Sequence, residues 1–285
     1  MGLDVLATGL RFGEGPRWHH GKLWFSDMYD HSVQAVGLDG HVEVKVDIPG
    51  QPSGLGWTPA GDLLVVLMRE RQVLRLAHDR LVVHADLDGV ATWHCNDMVV
   101  DDAGRAYVGN FGFDLHTAEA TGDFSRRATA TLALVDPDGS VSVAADGLKF
   151  PNGTVITPDG RTLVVAESMG RCLTAFDRDA DGRLSNRRVW ADLGGRAADG
   201  ICLDADGAIW FANAAAGECV RVAEGGAVLD VLTTDRRAFA CMLGGPEGRH
   251  LFVLTSQHSH PDQCRAERTG QVLVTEVAVP HAGRP

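Results

Sequence analysis

The sequence predicts an all-β fold, a single six-bladed β-propeller over residues 1–285, and three observations predict it. One pattern recurs six times along the chain, and its spacing is that of a four-stranded blade. No ten-residue window carries the 3.6-residue apolar period of an amphipathic helix.

The repeated unit is a small or polar turn, a short apolar strand, a D-x-x-G-like turn and a second hydrophobic strand. Its copies are GEGPRWHHGKLWFSDM from Gly13, PSGLGWTPAGDLLVVLM from Pro52, NDMVVDDAGRAYVGNFG from Asn96, PNGTVITPDGRTLVVAES from Pro151, DGICLDADGAIWFANA from Asp199 and ACMLGGPEGRHLFVLTS from Ala240. With Glu14, Ser53, Asp97, Asn152, Asp199 and Ala240 as anchors, successive copies lie roughly 40 to 55 residues apart, close to one propeller blade. The turns TPAGD, DDAGR, TPDGR and DADGA place glycine where a tight hairpin requires positive φ. The strands that follow are rich in Val, Leu, Ile and aromatics, as strands sandwiched between neighbouring blades must be. QVLRLAH with RLVVHAD, and TLALVDP with SVSVAAD, supply the outer pairs. A propeller must close its ring, and LDVLATG near the N-terminus is expected to pair with QVLVTEVAV near the C-terminus. The longest interval holds LHTAEATGDFSRRAT, residues 115–129, which reads as an extended polar loop, either a lid over the channel or a surface excursion.

With 26 Lys and Arg against 38 Asp and Glu, the chain carries a formal charge of −12 and no basic run. That excludes a nucleic-acid partner, whose phosphates demand clustered cations. The first residues, MGLDVLATGLRF, lack the basic and apolar regions of a signal peptide, and no apolar stretch approaches the roughly 18 residues of a membrane span. A soluble cytoplasmic protein without a membrane partner is expected. The six cysteines are scattered without C-x-x-C spacing and read as buried, reduced thiols, with Cys95 placed inside a motif where it could line the site.

The innermost strand of each blade lines the channel, so anchors remote in sequence converge. Four of the six anchor positions are acidic or amide-bearing: Glu14, the Asn96-Asp97 pair, Asn152 and Asp199. Taken one at a time, Asn152-Gly153 and Asp199-Gly200 are ordinary turn signals. Together, carboxylates and carboxamides aimed at one axis repel and are poorly solvated unless a cation lies between them. The donors are all oxygens, which suits one divalent ion, Ca²⁺, Mg²⁺ or Mn²⁺, with Zn²⁺ also able to accept carboxylate. No G-x-S-x-G elbow is present, so serine-based hydrolysis is not expected. His258 and His260 in SQHSHPD are given no role.

The runs EGPRWHHGKLWFSD, NDMVVDDAGRAYVGNFG, PNGTVITPDGRTLVVAES and ADGICLDADGAIWFANA, in this order, resemble the regucalcin/gluconolactonase family of senescence-marker-protein-like lactonases. The resemblance implies a six-bladed propeller that opens lactone rings with one divalent metal. It places the metal ligands at Glu14, Asn152 and Asp199, with Asp199 also the catalytic acid/base, and substrate contacts at Asn96 and Asp114. Where sugar-lactone members often carry Arg, this chain has His94, which offers fewer donors and a pH-dependent charge. A lactone less polar than a sugar lactone is therefore also open, with Trp18, Trp93, Phe111 and Phe113 as candidates for an apolar mouth. Two other readings stay open: a metal-dependent esterase or phosphotriesterase-like hydrolase, and a non-enzymatic calcium-binding propeller.

Overall fold

Each copy of the repeat becomes one antiparallel sheet. The structure, a computed structural model, describes residues 2–124 and 129–283. Among them the strands form six four-stranded sheets. The innermost strands are Gly13–His19, Pro52–Trp57, Cys95–Val100, Pro151–Ile156, Ala198–Leu203 and Arg237–Gly244, for blades 1 to 6 in chain order. Each packs beside the innermost strands of the blades before and after it, and blade 6 meets blade 1, so the six enclose a channel.

The expected closure is present. Asp4–Leu10 pairs antiparallel with Gly270–Glu276 and becomes the outermost strand of blade 6. The D-x-x-G turns are hairpin turns, with Gly61, Gly104, Gly160 and Gly207 at φ of 90°, 83°, 72° and 79°. The predicted outer pairs also form, between Gln72–Ala77 and Arg80–Asp86 and between Ala130–Val135 and Val141–Leu148. Apolar side chains of the central strands pack between blades: Leu23 and Phe25 of blade 1, Trp210 of blade 5 and Phe252 of blade 6 belong to one fully buried cluster. Burying large side chains there, about 1.5–3 kcal/mol for each Leu, Phe or Val, is what holds neighbouring blades face to face.

Two segments depart from the sequence reading. Residues 115–129 were expected as loop, but Leu115–Thr121 is a helix, α1, capped by Asp114, whose carboxylate accepts from Thr117 N at 3.0 Å. Residues 125–128 of the same segment lie outside the described residues. Pro261–Ala266 forms a second short helix, α2, with His260 as its N-cap and proline at its start. A side-chain cap stabilises a helix of one or two turns that periodicity alone cannot reveal.

Every innermost strand carries one extra residue against its neighbour near its anchor: between Glu14 and Arg17, Pro52 and Leu55, Cys95 and Met98, Pro151 and Thr154, Ala198 and Ile201, and Ala238 and Ala240. A β-bulge of this kind bends the strand and re-aims the side chains within it. Glu14, Ser53, Asn96, Asn152 and Asp199 all stand at these bulges, so the fold turns the polar anchors toward one point. The glycine that follows an anchor is there for close approach between blades. A Cβ on Gly54 would lie 2.4 Å from Met98 N, and one on Gly153 would lie 2.5 Å from Ile201 N and 2.6 Å from Asp199 O. Asn152-Gly153 and Asp199-Gly200 are thus strand residues and not turns.

Gly153→Ala is expected to push blades 4 and 5 apart and to cost roughly 1–3 kcal/mol, as overpacked sites do. Thermal unfolding reads this directly; an unchanged melting temperature would show that the contact is soft.

Candidate active site in the channel

One cavity of about 240 Å³ opens into the channel, and Glu14, Ser53, Asn96, Asn152, Ser168 and Asp199 all line it. These polar residues come from the innermost strands of blades 1, 2, 3, 4 and 5, together with Ser168 just after the second strand of blade 4. The structure therefore brings together four of the six residues singled out from the sequence: Glu14, Asn96, Asn152 and Asp199.

The carboxyls are in difficult surroundings. Burial pushes the Glu14 carboxyl well above the usual range, and the charges of Asp199 and Asp97 push it the same way. The Gly15 amide, 3.2 Å from Glu14 Oε2, and Arg17 oppose the shift. Burial likewise raises Asp199, to about 8, with Asp97 adding to the rise, while Arg237 and a hydrogen bond from Asn152 pull it down. Asp199 thus holds its proton at neutral pH and Glu14 is shifted the same way, because a desolvated carboxylate beside a second carboxylate is disfavoured.

Asp97 lies beneath this floor, outside the residues that line the cavity. Arg17, 3% exposed, reaches it with Nη2 at 3.2 Å from Oδ1, and also donates to Met98 O and, from Nη1, to Pro16 O at 2.7 Å. A buried charge pair of this kind is costly to break from either side. Asp97 was part of an anchor pair in the sequence but received no role; its charge is a main cause of the shifts above it.

The carboxamides differ. Asn152 Nδ2 donates to Ser168 Oγ at 3.1 Å, and Ser168 Oγ donates to Ala198 O at 2.7 Å, which fixes the amide beside Asp199. Asn96 is 4% exposed, and neither its Nδ2 nor its Oδ1 has a protein partner. A buried amide with both ends unpaired calls for a ligand in the cavity, because leaving it unpaired costs about 1–3 kcal/mol. These observations fit a cation held on oxygens. No three His, Cys, Asp or Glu side chains among the described residues cluster to hold a metal.

The remaining expectations fall elsewhere. Neither His94 nor Asp114 is among the described residues that line the cavity. Asp114 is committed to α1, accepting from Thr117 N and, at 2.8 Å, from Thr117 Oγ1. Through that cap it brings Leu115, His116 and Glu119 to the cavity. His94 is half-buried, its ring 5.2 Å from that of Trp93, and burial together with Arg69 and His116 lowers its pKa to about 4. It is neutral at pH 7 and does not replace an arginine as a cation. Cys95 is buried away from the cavity, its thiol pushed up to about 12 by burial. Trp18 is not at the mouth: it stacks on Phe252 at 5.5 Å, between blades 1 and 6. Phe113 packs against Phe150, and of the four proposed aromatics Phe111 alone lines the cavity.

The sequence reading missed most of the wall above the floor. Phe12, Met28, Met68, Phe150 and Phe239 line it, as does Arg237, whose Nε donates to Ala214 O at 2.6 Å. The only signal was positional: Met28, Met68 and Phe111 each directly follow a second strand, and Phe12 and Phe150 directly precede or abut an innermost one.

Comparison with known proteins agrees with the six-bladed fold. The sequence profile described as the SMP-30/Gluconolactonase/LRE-like region matches residues 12–257. Regucalcin of Gallus gallus is 26% identical over 256 residues, 86% of this chain and 83% of the relative. Pentonolactonase XacC of Haloferax volcanii is 26% identical over 99% of this chain and 95% of its own. Among solved structures, a calcium-binding regucalcin from Agrobacterium tumefaciens superposes with a TM-score of 0.80 at 21% identity, covering 100% of this chain and 96% of that one. On its sequence match and its six-bladed architecture, the chain belongs to the SMP-30/gluconolactonase/LRE-like family.

Proposed function

We propose that this protein hydrolyses a lactone at the channel floor, with one divalent cation held by Glu14, Asn152 and Asp199. The observation that carries the reading is the convergence of these three residues with an unpartnered Asn96 in one cavity. Membership of a family with a pentonolactonase among its relatives supports lactone opening as the reaction.

A bound cation supplies Lewis acidity toward the lactone carbonyl and neutralises the negative charge that develops there. The rest of the chemistry belongs to the chain. Asp199 gives up its proton when the site is loaded, and its carboxylate then accepts a proton from the water that attacks the carbonyl carbon. As the bond from that carbon to the ring oxygen breaks, Asp199 returns the proton to the departing oxygen, so lactone and water become one hydroxy acid. Asn152, fixed by Ser168, keeps Asp199 oriented. Asn96 presents both a donor and an acceptor to the bound lactone. Ca²⁺, Mg²⁺, Mn²⁺ and Zn²⁺ all suit an oxygen set of two carboxylates and a carboxamide.

Chelation is expected to abolish turnover, and adding back one of these ions to restore it. Asp199→Ala should lower kcat by at least about 100-fold, the usual scale for a lost acid/base, while far-ultraviolet circular dichroism stays that of the wild type. Retained turnover in this variant would remove Asp199 from the mechanism.

The carboxyl pKa values also predict a stability signature. Asp199 titrates near 3.8 when unfolded and near 8 when folded without metal, so the unfolded chain loses its proton first. The stabilisation is full below pH 4 and is lost as pH rises toward 8. His94, lowered to about 4, acts oppositely and only below about pH 6.5. The melting temperature of chelated protein should therefore fall between pH 6.5 and 8, and Asp199→Asn should flatten the fall. Cation affinity should rise over the same interval, since loading the site releases protons, as calorimetry in buffers of different ionisation enthalpy would measure.

A further inference from the structure

We infer that the lactone this site takes carries an apolar substituent, an alkyl or aryl group, in place of the hydroxyls of a sugar. The inference rests on the hydrolase reading above and concerns the part of the cavity that does no chemistry.

Above the polar floor the wall is made by Phe12, Met28, Met68, Phe111, Phe150 and Phe239, each at most 7% exposed. They belong to one buried cluster. Phe12 and Phe239 pack at 4.7 Å between ring centroids, and Phe111 and Phe150 at 4.6 Å. The first pair comes from blades 1 and 6 and the second from blades 3 and 4, which are opposite each other in a ring of six. Two aromatic pairs thus face one another across the channel. The methionines, on blades 1 and 2, give the wall an unbranched, adaptable surface. Among the described residues blade 5 contributes Ala197, Ala214 and Ala215 to the wall, so it recedes on that side and leaves room for a substituent.

A polyhydroxylated ring finds few partners against this part of the wall, although Tyr29, Gln51, His116 and Glu119 also line the cavity. Each hydroxyl pressed against a phenyl or thioether loses water and gains no hydrogen bond. The two groups expected to serve such hydroxyls besides Asn96 are unavailable for it: Asp114 is spent on Thr117, and neither it nor the neutral His94 lines the cavity. Arg237 is committed to Ala214 O and, from Nη1, to Ser259 Oγ at 3.1 Å, with its guanidinium over the Phe239 ring. Arg171 Nη1 and His116 Nδ1 are buried atoms of the lining without a hydrogen-bond partner. They can serve one or two polar groups on the substituent and not a ring of them.

The test is a series of γ-lactones from γ-butyrolactone to γ-octalactone, with glucono-δ-lactone beside them, assayed on the wild-type protein supplied with divalent cation. Burying each added methylene should raise kcat/KM about fourfold, on the order of 250-fold over the four methylenes from γ-butyrolactone to γ-octalactone. Glucono-δ-lactone should fall below γ-octalactone, and Phe150→Ser or Phe239→Ser should flatten the chain-length dependence. A flat series in the wild type, or a preference for glucono-δ-lactone, would overturn the inference and leave the hydrolase reading standing. If no lactone turns over, the hydrolase reading is what fails. Calorimetry of γ-octalactone binding then decides the wall by itself: binding with a negative heat-capacity change, weakened in Phe150→Ser, supports it, and no binding refutes it.

Discussion

Glu14, Asp97 and Asp199 place three carboxyl groups around one axis in the interior of the molecule, and most of what is distinctive in the site follows from their mutual repulsion. Burial raises the pKa of Glu14 and of Asp199, Asp97 adds to both shifts, and Asp199 adds to that of Glu14. The protein answers from two sides. Arg17 stands below, nearly inaccessible to solvent, bonded to Asp97 and to the backbone of Pro16 and Met98. Arg237 stands above, near Asp199, pinned by Ala214 O and Ser259. Both cavity-lining carboxyls remain shifted upward despite these cations, and the compensation is therefore partial. Carboxyls shifted upward in one cavity in this way are a more specific condition than a generally acidic surface could create.

The repulsion can be sustained because the scaffold does not relax. Each anchor stands at a bulge that recurs in all six innermost strands, and the glycines beside the anchors let the strands approach more closely than any side chain permits. Moving one carboxyl away from the axis would require re-registering a strand whose other face is packed between blades. The interblade packing thus holds the electrostatically unfavourable arrangement in place, and the outermost strand contributed by Asp4–Leu10 ties the ring shut.

The repeat and the floor were legible in the sequence for one reason: both depend on residues whose types are restricted. Turn glycines and β-branched strand residues mark the blades, and Glu14, Asn96, Asn152 and Asp199 mark one register within them. The wall was not legible, because Phe12, Met28, Met68 and Phe239 are ordinary apolar residues, and which of them face the channel depends on register at strand ends. Trp18 shows the same difficulty from the other side. It lies beside Arg17 in the first motif, yet alternation along the strand turns it into the packing between blades 1 and 6, onto Phe252. Asp114 falls at the position the family resemblance assigns to substrate, but the helix begun there takes its carboxylate. Short helices such as α1 depend on a cap and on tertiary packing, which a periodicity search over ten residues cannot register.

Floor and wall are also built from different parts of the blade. The floor lies within innermost strands, locked by bulges and by contacts with both neighbouring blades. Much of the wall lies at strand ends, at Met28, Met68, Phe111 and Phe150, where a substitution changes what the cavity touches without disturbing the ladder hydrogen bonds. On the reading proposed above, exchanging those residues would alter which substituent is welcome, while Glu14, Asn152 and Asp199 would keep their geometry. A blade repeat therefore separates the chemistry from the choice of substrate: the first is fixed by the pairing of strands, and the second by the few side chains that emerge where the strands stop.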